Sequence, residues 1–181
     1  MIISEECING CLQRDSSSQK HLYEQSLPYL NALCSRYVNN PSLRKDVLQE
    51  SYILIFNKIG QFDPQRGTFK SWVSRIVINN CLKQNKSEKR FTTLEVNQQE
   101  EYINPVVISQ LTNKEIILFL RTMPEKYSKV FLLFAIDEFS HKEISEMLGI
   151  NINVSRKRLS RARDWLKTKS NSWTTVLGNL T

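Results

Sequence analysis

A chain of 181 residues has room for one ordinary domain or two small ones, and 40% hydrophobic residues suffice to pack a core. Five glycines and five prolines, against recurrent Leu, Ile, Lys, Glu and Ser, argue for helices and against a turn-rich all-β fold. No apolar run is long enough to cross a bilayer, so no stable membrane insertion is expected, and a formal net charge of +7 suggests a polyanionic partner, nucleic acid or an anionic membrane surface.

Residues 1–18 are polar and irregular, end in Ser16-Ser17-Ser18, and read as a loose arm or a short extra helix. Met1-Ile2-Ile3-Ser4-Glu5-Glu6 lacks the basic start and apolar stretch of a signal peptide, so a cytoplasmic chain is expected. In that reducing compartment Cys7, Cys11, Cys34 and Cys81 are expected as free thiols. Cys7 and Cys11 are spaced to share a helix face. A metal site would need two further ligands, and His21 and His141 are poorly placed in sequence, so neither metal nor cofactor is expected.

From about Lys20 apolar residues recur at helical intervals: Leu22, Tyr23, Leu27, Leu30, Leu33, Cys34 and Tyr37. Asn39-Asn40-Pro41 stops this helix, and Asn40 caps the next, with Pro41 in its first turn. That second helix carries Leu43, Val47, Leu48, Ile55, Phe56 and Ile59, and Gly60 ends it. After the loop Phe62–Gly67, Thr68 caps a third helix bearing Trp72, Val73, Ile76 and Val77, then Asn79 and Asn80, with a basic tail of Lys83, Lys86, Lys89 and Arg90. Residues 91–112 change character. Glu95, Glu100 and Glu101 alternate with Asn and Gln and Pro105 interrupts, as in an interdomain linker, with one patch at Val106-Val107-Ile108.

The second domain is expected over 113–169. Asn113 caps a helix to Thr122, and Pro124 opens another with Val130, Phe131, Leu133 and Phe134 apolar. Ser140-His141-Lys142-Glu143 has capping-box spacing, and the short helix it starts ends at Gly149. Asn151 caps a last helix whose apolar side is Ser155, Leu159, Ala162 and Leu166. Residues 170–181 read as a tail, with Trp173 and Val176 as its candidate packing residues.

Two helices joined at Gly149, the second one basic, form a helix-turn-helix pattern. Gly149 permits the left-handed turn, and Ile144, Leu148, Ile150 and Leu159 supply the shared core. Opposite the apolar stripe stand Asn153, Arg156, Lys157, Ser160, Arg161 and Asp164. Arg reads guanine bidentately, while Lys, Ser and Asn suit base edges or phosphates, so this face is expected to enter a major groove.

A helix-turn-helix alone says only DNA binding, and the N-terminal half narrows it. Asp46-Val47-Leu48-Gln49-Glu50, Phe56, the run from Phe62 to Trp72 and Arg75-Ile76 resemble region 2 of extracytoplasmic-function sigma factors of RNA polymerase. Leu120 to Tyr127, Val130 to Leu133 and Leu159-Ser160-Arg161-Ala162-Arg163 resemble region 4 of the same family.

The resemblance implies an all-α protein of two small helical domains: region 2, a bundle of three to four helices over 19–90, and region 4, the helix-turn-helix, joined by a flexible linker. It implies polymerase core as partner, through its clamp coiled coil and flap, with Asp46, Gln49, Glu50, Ile53 and Phe56 on the docking helix. It implies capture of the melted −10 promoter element by Phe62, Asp63, Arg66, Lys70, Arg75, Asn79, Asn80, Lys83 and Lys86. Held bases compensate the unstacking cost of about a few kcal/mol, amides bond them, and lysines follow the backbone. Trp72 is expected as core packing rather than a base platform. The −35 element would be read as duplex by Asn153, Arg156, Lys157, Ser160 and Arg161. Many members of the family are held inactive by an anti-sigma protein, so the resemblance admits that partner too.

The competing reading is a helix-turn-helix regulator that binds duplex DNA without polymerase, which accounts for 113–168 but not for 43–75. An enzyme is not expected: the chain has no metal-ligand spacing, phosphate-cradling glycine loop or nucleophile motif.

Overall fold

The structure, a computed structural model, describes residues 2–91 and 119–177, with side chains for 2–85 and 119–169. The chain divides into two compact units, Met1–Val96 and Asn97–Thr181. Every regular element among the described residues is helical, in agreement with the all-α expectation.

The first unit holds α1 (Glu5–Leu12), α2 (Ser16–Tyr37), α3 (Pro41–Lys58) and α4 (Phe69–Phe91). Of the two readings of the first segment, a loose arm or a short extra helix, the structure has the helix, α1. Ser4 caps it, accepting from the Cys7 amide, and Cys7, Ile8 and Cys11 turn inward. α2 starts at Ser16, earlier than the periodicity indicated, because Asp15 caps it: its carboxylate accepts from the Ser18 amide at 2.7 Å. The two helices sit close, with Gly10 of α1 facing Ser18 where a Cβ would collide, and the Cys7 thiol donating to the Ser18 carbonyl.

Helices α2, α3 and α4 pack around Leu22, Leu30, Leu33, Val47, Ile55, Val73, Val77 and Ile78, all essentially fully buried. Burial of each such side chain is worth about 1.5–3 kcal/mol, which is why the apolar spacing decides which face turns inward. The expected caps are in place. Asn40 accepts from the amides of Ser42 and Leu43, with Pro41 in the first turn, and Thr68 Oγ1 accepts from the Ser71 amide at 3.1 Å.

This core also contains polar groups, each satisfied. The Ser26 hydroxyl donates to the Leu22 carbonyl and bonds the Tyr52 hydroxyl at 2.9 Å. Burial pushes the Tyr52 phenol up to about 12, so it stays protonated as a donor. Cys34 and Cys81 meet across α2 and α4 with sulfurs 3.8 Å apart, and all four cysteines are buried free thiols. The hydrogen bond to Cys34, and then burial, push the Cys81 thiol up.

In the second unit, 119–121 form a helical turn, followed by α5 (Glu125–Phe131), a π-helical turn (Leu132–Ile136), α6 (His141–Leu148) and α7 (Ile152–Leu177). Its core is Met123, Val130, Leu133, Phe139, Ile144, Leu159 and Ala162. Leu148 and Ile150, assigned to the helix-turn-helix core, are half-buried. α7 runs on through the segment read as a tail, to Leu177. The linker patch Val106–Ile108, the Asn113 cap and the side chains of Trp173 and Val176 lie outside the described residues.

Candidate nucleic-acid interface

The turn between α6 and α7 is built as its residues dictate. Ser140 and Glu143 form a reciprocal capping box at the start of α6, with the Ser140 amide donating to the Glu143 carboxylate at 2.8 Å. Gly149 takes φ 64° and ψ 42°, the left-handed conformation that closes a helix. Asn151 Oδ1 then accepts from the Asn153 amide at 2.8 Å, starting α7.

On α7, Ser155, Leu159 and Ala162 are buried, whereas Asn153, Arg156, Lys157, Ser160 and Arg161 are exposed. All five residues expected to contact duplex therefore stand in solvent on the side away from the core. Arg156 donates to Asn153 Oδ1 at 3.4 Å, which draws two of them together. Arg158 is half-buried and Arg163 and Lys167 are exposed, so the helix is cationic well beyond the expected five.

In the first unit the loop ahead of α4 has a defined shape. Asp63 Oδ1 accepts from the Gln65 amide at 2.9 Å, and its other oxygen pairs with Arg66 Nε at 3.2 Å. Gly67, at φ 145° and ψ −176°, occupies a region open essentially to glycine alone. Phe62, Phe69 and Trp72 form an aromatic cluster, with the Phe62 ring edge-on to Phe69 at 5.2 Å and 5.9 Å from Trp72. Phe69 is buried, while Phe62 and Trp72 are only half-buried. Trp72 therefore packs as expected but keeps part of its surface outside the core.

From Trp72, exposed side chains continue along α4 at Arg75, Asn79 and Lys83, three or four residues apart and thus on one file. Lys70 is exposed with its ammonium 4.8 Å from the Tyr29 ring centroid, and Tyr29 in turn bonds Ser74 at 2.8 Å. Lys86 lies on α4, but its side chain is outside the described residues.

One expected contact is overturned. Asn80 is buried, and its amide donates to the Val47 carbonyl and to Ser51 Oγ, both at 3.1 Å. It ties α4 to α3 instead of facing nucleic acid, because it follows Asn79 by one residue and so turns roughly 100° away around the helix.

The docking face expected on α3 is mixed. Asp46, Gln49 and Ile53 are exposed, and Ile53 keeps 55% of its surface in solvent. Phe56 is half-buried and stacks on Tyr52 with centroids 6.3 Å apart. Glu50 is drawn inward, accepting from Gln84 of α4 at 2.6 Å. Sequence reasoning did not single out the side chains that meet α7 from neighbouring elements: His141 at Ser155, Phe134 near Arg163, and Lys126 and Tyr127 beside Lys157 and Arg161. They belong to elements that pattern analysis assigns to packing.

Geometry thus defines a two-unit helical protein whose second unit carries a helix-turn-helix with an exposed cationic face. Residues 22–91 match the family described as Sigma-70 region 2, and residues 113–166 match Sigma-70, region 4. The ECF RNA polymerase sigma factor SigW of Bacillus subtilis is 28% identical over 149 residues, which are 75% of this chain and 79% of that one. The RNA polymerase sigma factor SigZ of the same organism is 29% identical over 155 residues, 81% of this chain and 83% of that one. Among solved structures, the sigma factor RpoE of Bartonella quintana, in complex with the anti-sigma factor NepR, superposes with a TM-score of 0.58 at 20% identity over 82% of this chain and 94% of that one. CnrH, in complex with the cytosolic domain of CnrY, gives 0.54 at 19% identity, over 92% and 96%. The chain belongs to the extracytoplasmic-function family of RNA polymerase sigma factors.

Proposed function

We propose that the sigma function of this chain is divided between its two units: the first docks on polymerase core and holds the melted −10 element, and the second reads the −35 element as duplex. The observation that supports this division is one chain with two chemically different exposed faces, on α4 and on α7. The α4 face starts at half-buried aromatics and runs through Arg75, Asn79 and Lys83, a combination that suits unstacked bases on a backbone. The α7 face is a rod of cations and short polar side chains behind a capped turn, which suits an intact major groove.

Core docking falls to the α3 face, with Asp46 and Gln49 outward beside the apolar Ile53 and Phe56. A carboxylate next to exposed apolar surface matches a cationic, partly apolar partner helix such as a coiled coil. Bond making belongs to the polymerase in this reading, not to the chain, and the chain works in the cytoplasm beside it. No described helix is long and apolar enough to cross a membrane. Two structurally similar proteins were solved with partner chains, the cytosolic domain of CnrY and the anti-sigma factor NepR, and an anti-sigma protein is the third partner in this reading.

The test is run-off transcription with core polymerase over a promoter library, together with gel filtration of the chain with core. Discrete transcripts from a shared pair of elements, and co-elution, are expected. No RNA from any template and no co-elution overturns the reading. Duplex binding without core association favours the stand-alone regulator.

A further inference from the structure

Beside α7 an open cleft of about 380 Å³ is lined by Lys126 and Tyr127 of α5 and by Val154, Lys157, Arg158 and Arg161 of α7. Four of these six side chains are cationic and none is acidic. Among the described residues no ion pair involves any of the four. Glu125, the acid nearest in sequence, is taken up by Lys129 at 2.7 Å. Lys126 lies 5.1 Å from the Tyr127 ring centroid, so its charge rests over an aromatic face without being neutralised.

Concentrated like charge is unfavourable in the free protein, and a bound anion relieves it. The cleft is lined in part by Lys157 and Arg161, which belong to the exposed side of α7. An α-helix lying in a major groove has a phosphate backbone along each flank. Whichever backbone passes this flank meets Lys126 and Tyr127 next.

We infer that the cleft between α5 and α7 is a phosphate seat, in which Lys126, Tyr127 and Arg158 hold one strand of the duplex whose bases α7 reads. This rests on the duplex-reading role proposed for the second unit, and extends the interface from the recognition helix to α5. The Tyr127 hydroxyl donates to a phosphate oxygen, while Lys126 and Arg158 supply charge. Such contacts fix register and orientation and carry no sequence information. Arg158 is half-buried and lines the cleft.

The experiment uses the full chain with core polymerase and a promoter duplex selected by the unaltered protein. Affinity is measured against salt for the native protein, Lys126→Gln and Tyr127→Phe. Each phosphate near the −35 element is then replaced in turn by a neutral methylphosphonate. Lys126→Gln is expected to reduce the slope of log K against log salt by about 0.9, to weaken all sequences alike, and to lose its sensitivity to one methylphosphonate position. Tyr127→Phe, which keeps the ring and the packing, is expected to lose sensitivity at the same position.

An unchanged slope with every methylphosphonate effect retained overturns the seat while leaving the duplex reading intact. A loss confined to certain base sequences also overturns it, since it would mark Lys126 as a base reader. Weaker binding to core or another protein, with the DNA slope unchanged, assigns the cleft to a protein partner and overturns it as well. If the native protein with core selects no duplex, the duplex reading itself fails, and the seat with it.

Discussion

His141 Nδ1 lies 2.9 Å from Ser155 Oγ, so the first residue of α6 is tied to a fully buried residue of α7. The Phe134 ring stacks on the imidazole with centroids 4.6 Å apart and planes 23° from parallel, and the Arg163 guanidinium lies 5.9 Å from the Phe134 centroid. The neighbours of Ser155 along the inward side of α7, Leu159 and Ala162, are apolar. A single polar pair in such a seam is directional where its surroundings are not. Turning α7 about its axis would bury the Ser155 hydroxyl without a partner, at a cost of about 1–3 kcal/mol. The pair therefore fixes which side chains of α7 face outward.

Stability of the helix-turn-helix is expected to fall in mild acid. Burial pushes the His141 imidazole below its ordinary value of 6.5, and the charges of Arg156 and Arg163 push it the same way. The folded state thus favours the neutral ring, which shares a hydrogen bond with the Ser155 hydroxyl through Nδ1. Stabilisation is fully present above the unfolded value and is lost as pH falls through the folded one. Ring-proton NMR on the full chain should show His141 titrating below 6.5. Amide exchange in α6 and α7 should quicken on acidification, and a His141→Gln variant should remove most of that dependence. A His141 titration at or above 6.5 would contradict the assignment.

Gly149 and Glu138 share a left-handed backbone, at φ 64° and 59°, yet only one is a glycine. A side chain in that conformation costs about 1–2 kcal/mol. A Cβ at Gly149 meets nothing within 4 Å, so Gly149→Ala should destabilise through the backbone alone, by about that amount. Glu138→Gly should stabilise by no more than about 1 kcal/mol, because the relief of left-handed strain is partly offset by glycine's greater loss of chain entropy on folding. Thermal melts of both variants check the pair, and equal signs would refute the backbone account.

Adjacent asparagines on α4 should separate stability from nucleic-acid binding. Asn80→Ala removes two buried hydrogen bonds to α3 and should cost about 1–3 kcal/mol of stability. Asn79→Ala, on an exposed site, should change stability by no more than about 0.5 kcal/mol and should weaken binding of a single-stranded −10 oligonucleotide by holoenzyme. Chemical denaturation and oligonucleotide titration on both variants decide it. Loss of stability in the Asn79 variant would place that residue in the fold instead.

The contrast between these two residues marks the limit of what was legible in the sequence. Signals carried by a single residue type at a fixed offset were readable: Asn40 with Pro41, Thr68, the Ser140–Glu143 box and Gly149 each set a boundary where expected. Helix α1 was legible only as one of two alternatives, because its inward residues Cys7, Ile8 and Cys11 make one turn of pattern, too short to stand out clearly from a polar segment. Asn80 was misplaced because a polar side chain on an amphipathic helix is assigned outward unless its partner is known, and Ser51 lies 29 positions earlier. Ser155 was placed on the inward stripe, but its bond to His141 depends on the angle between two helices, which no local spacing encodes.

Docking on polymerase core should depend on Ile53 more than on Glu50. Ile53 leaves 55% of its surface in solvent on the same side of α3 as Asp46 and Gln49, whereas Glu50 is already bonded to Gln84. Fully burying an isoleucine side chain is worth about 1.5–3 kcal/mol, and half of that area remains to be covered by a partner. Ile53→Ala should therefore lower core affinity by several-fold to about tenfold, a loss of about 1 kcal/mol or a little more. Its melting temperature should barely move, because no core contact is removed. Glu50→Gln keeps the side-chain shape and should affect core binding less than Asp46→Asn, whose carboxylate is exposed and available to a cationic partner. Competition binding of the three variants to core supplies the order. Unchanged affinity in the Ile53 and Asp46 variants would remove α3 from the docking surface.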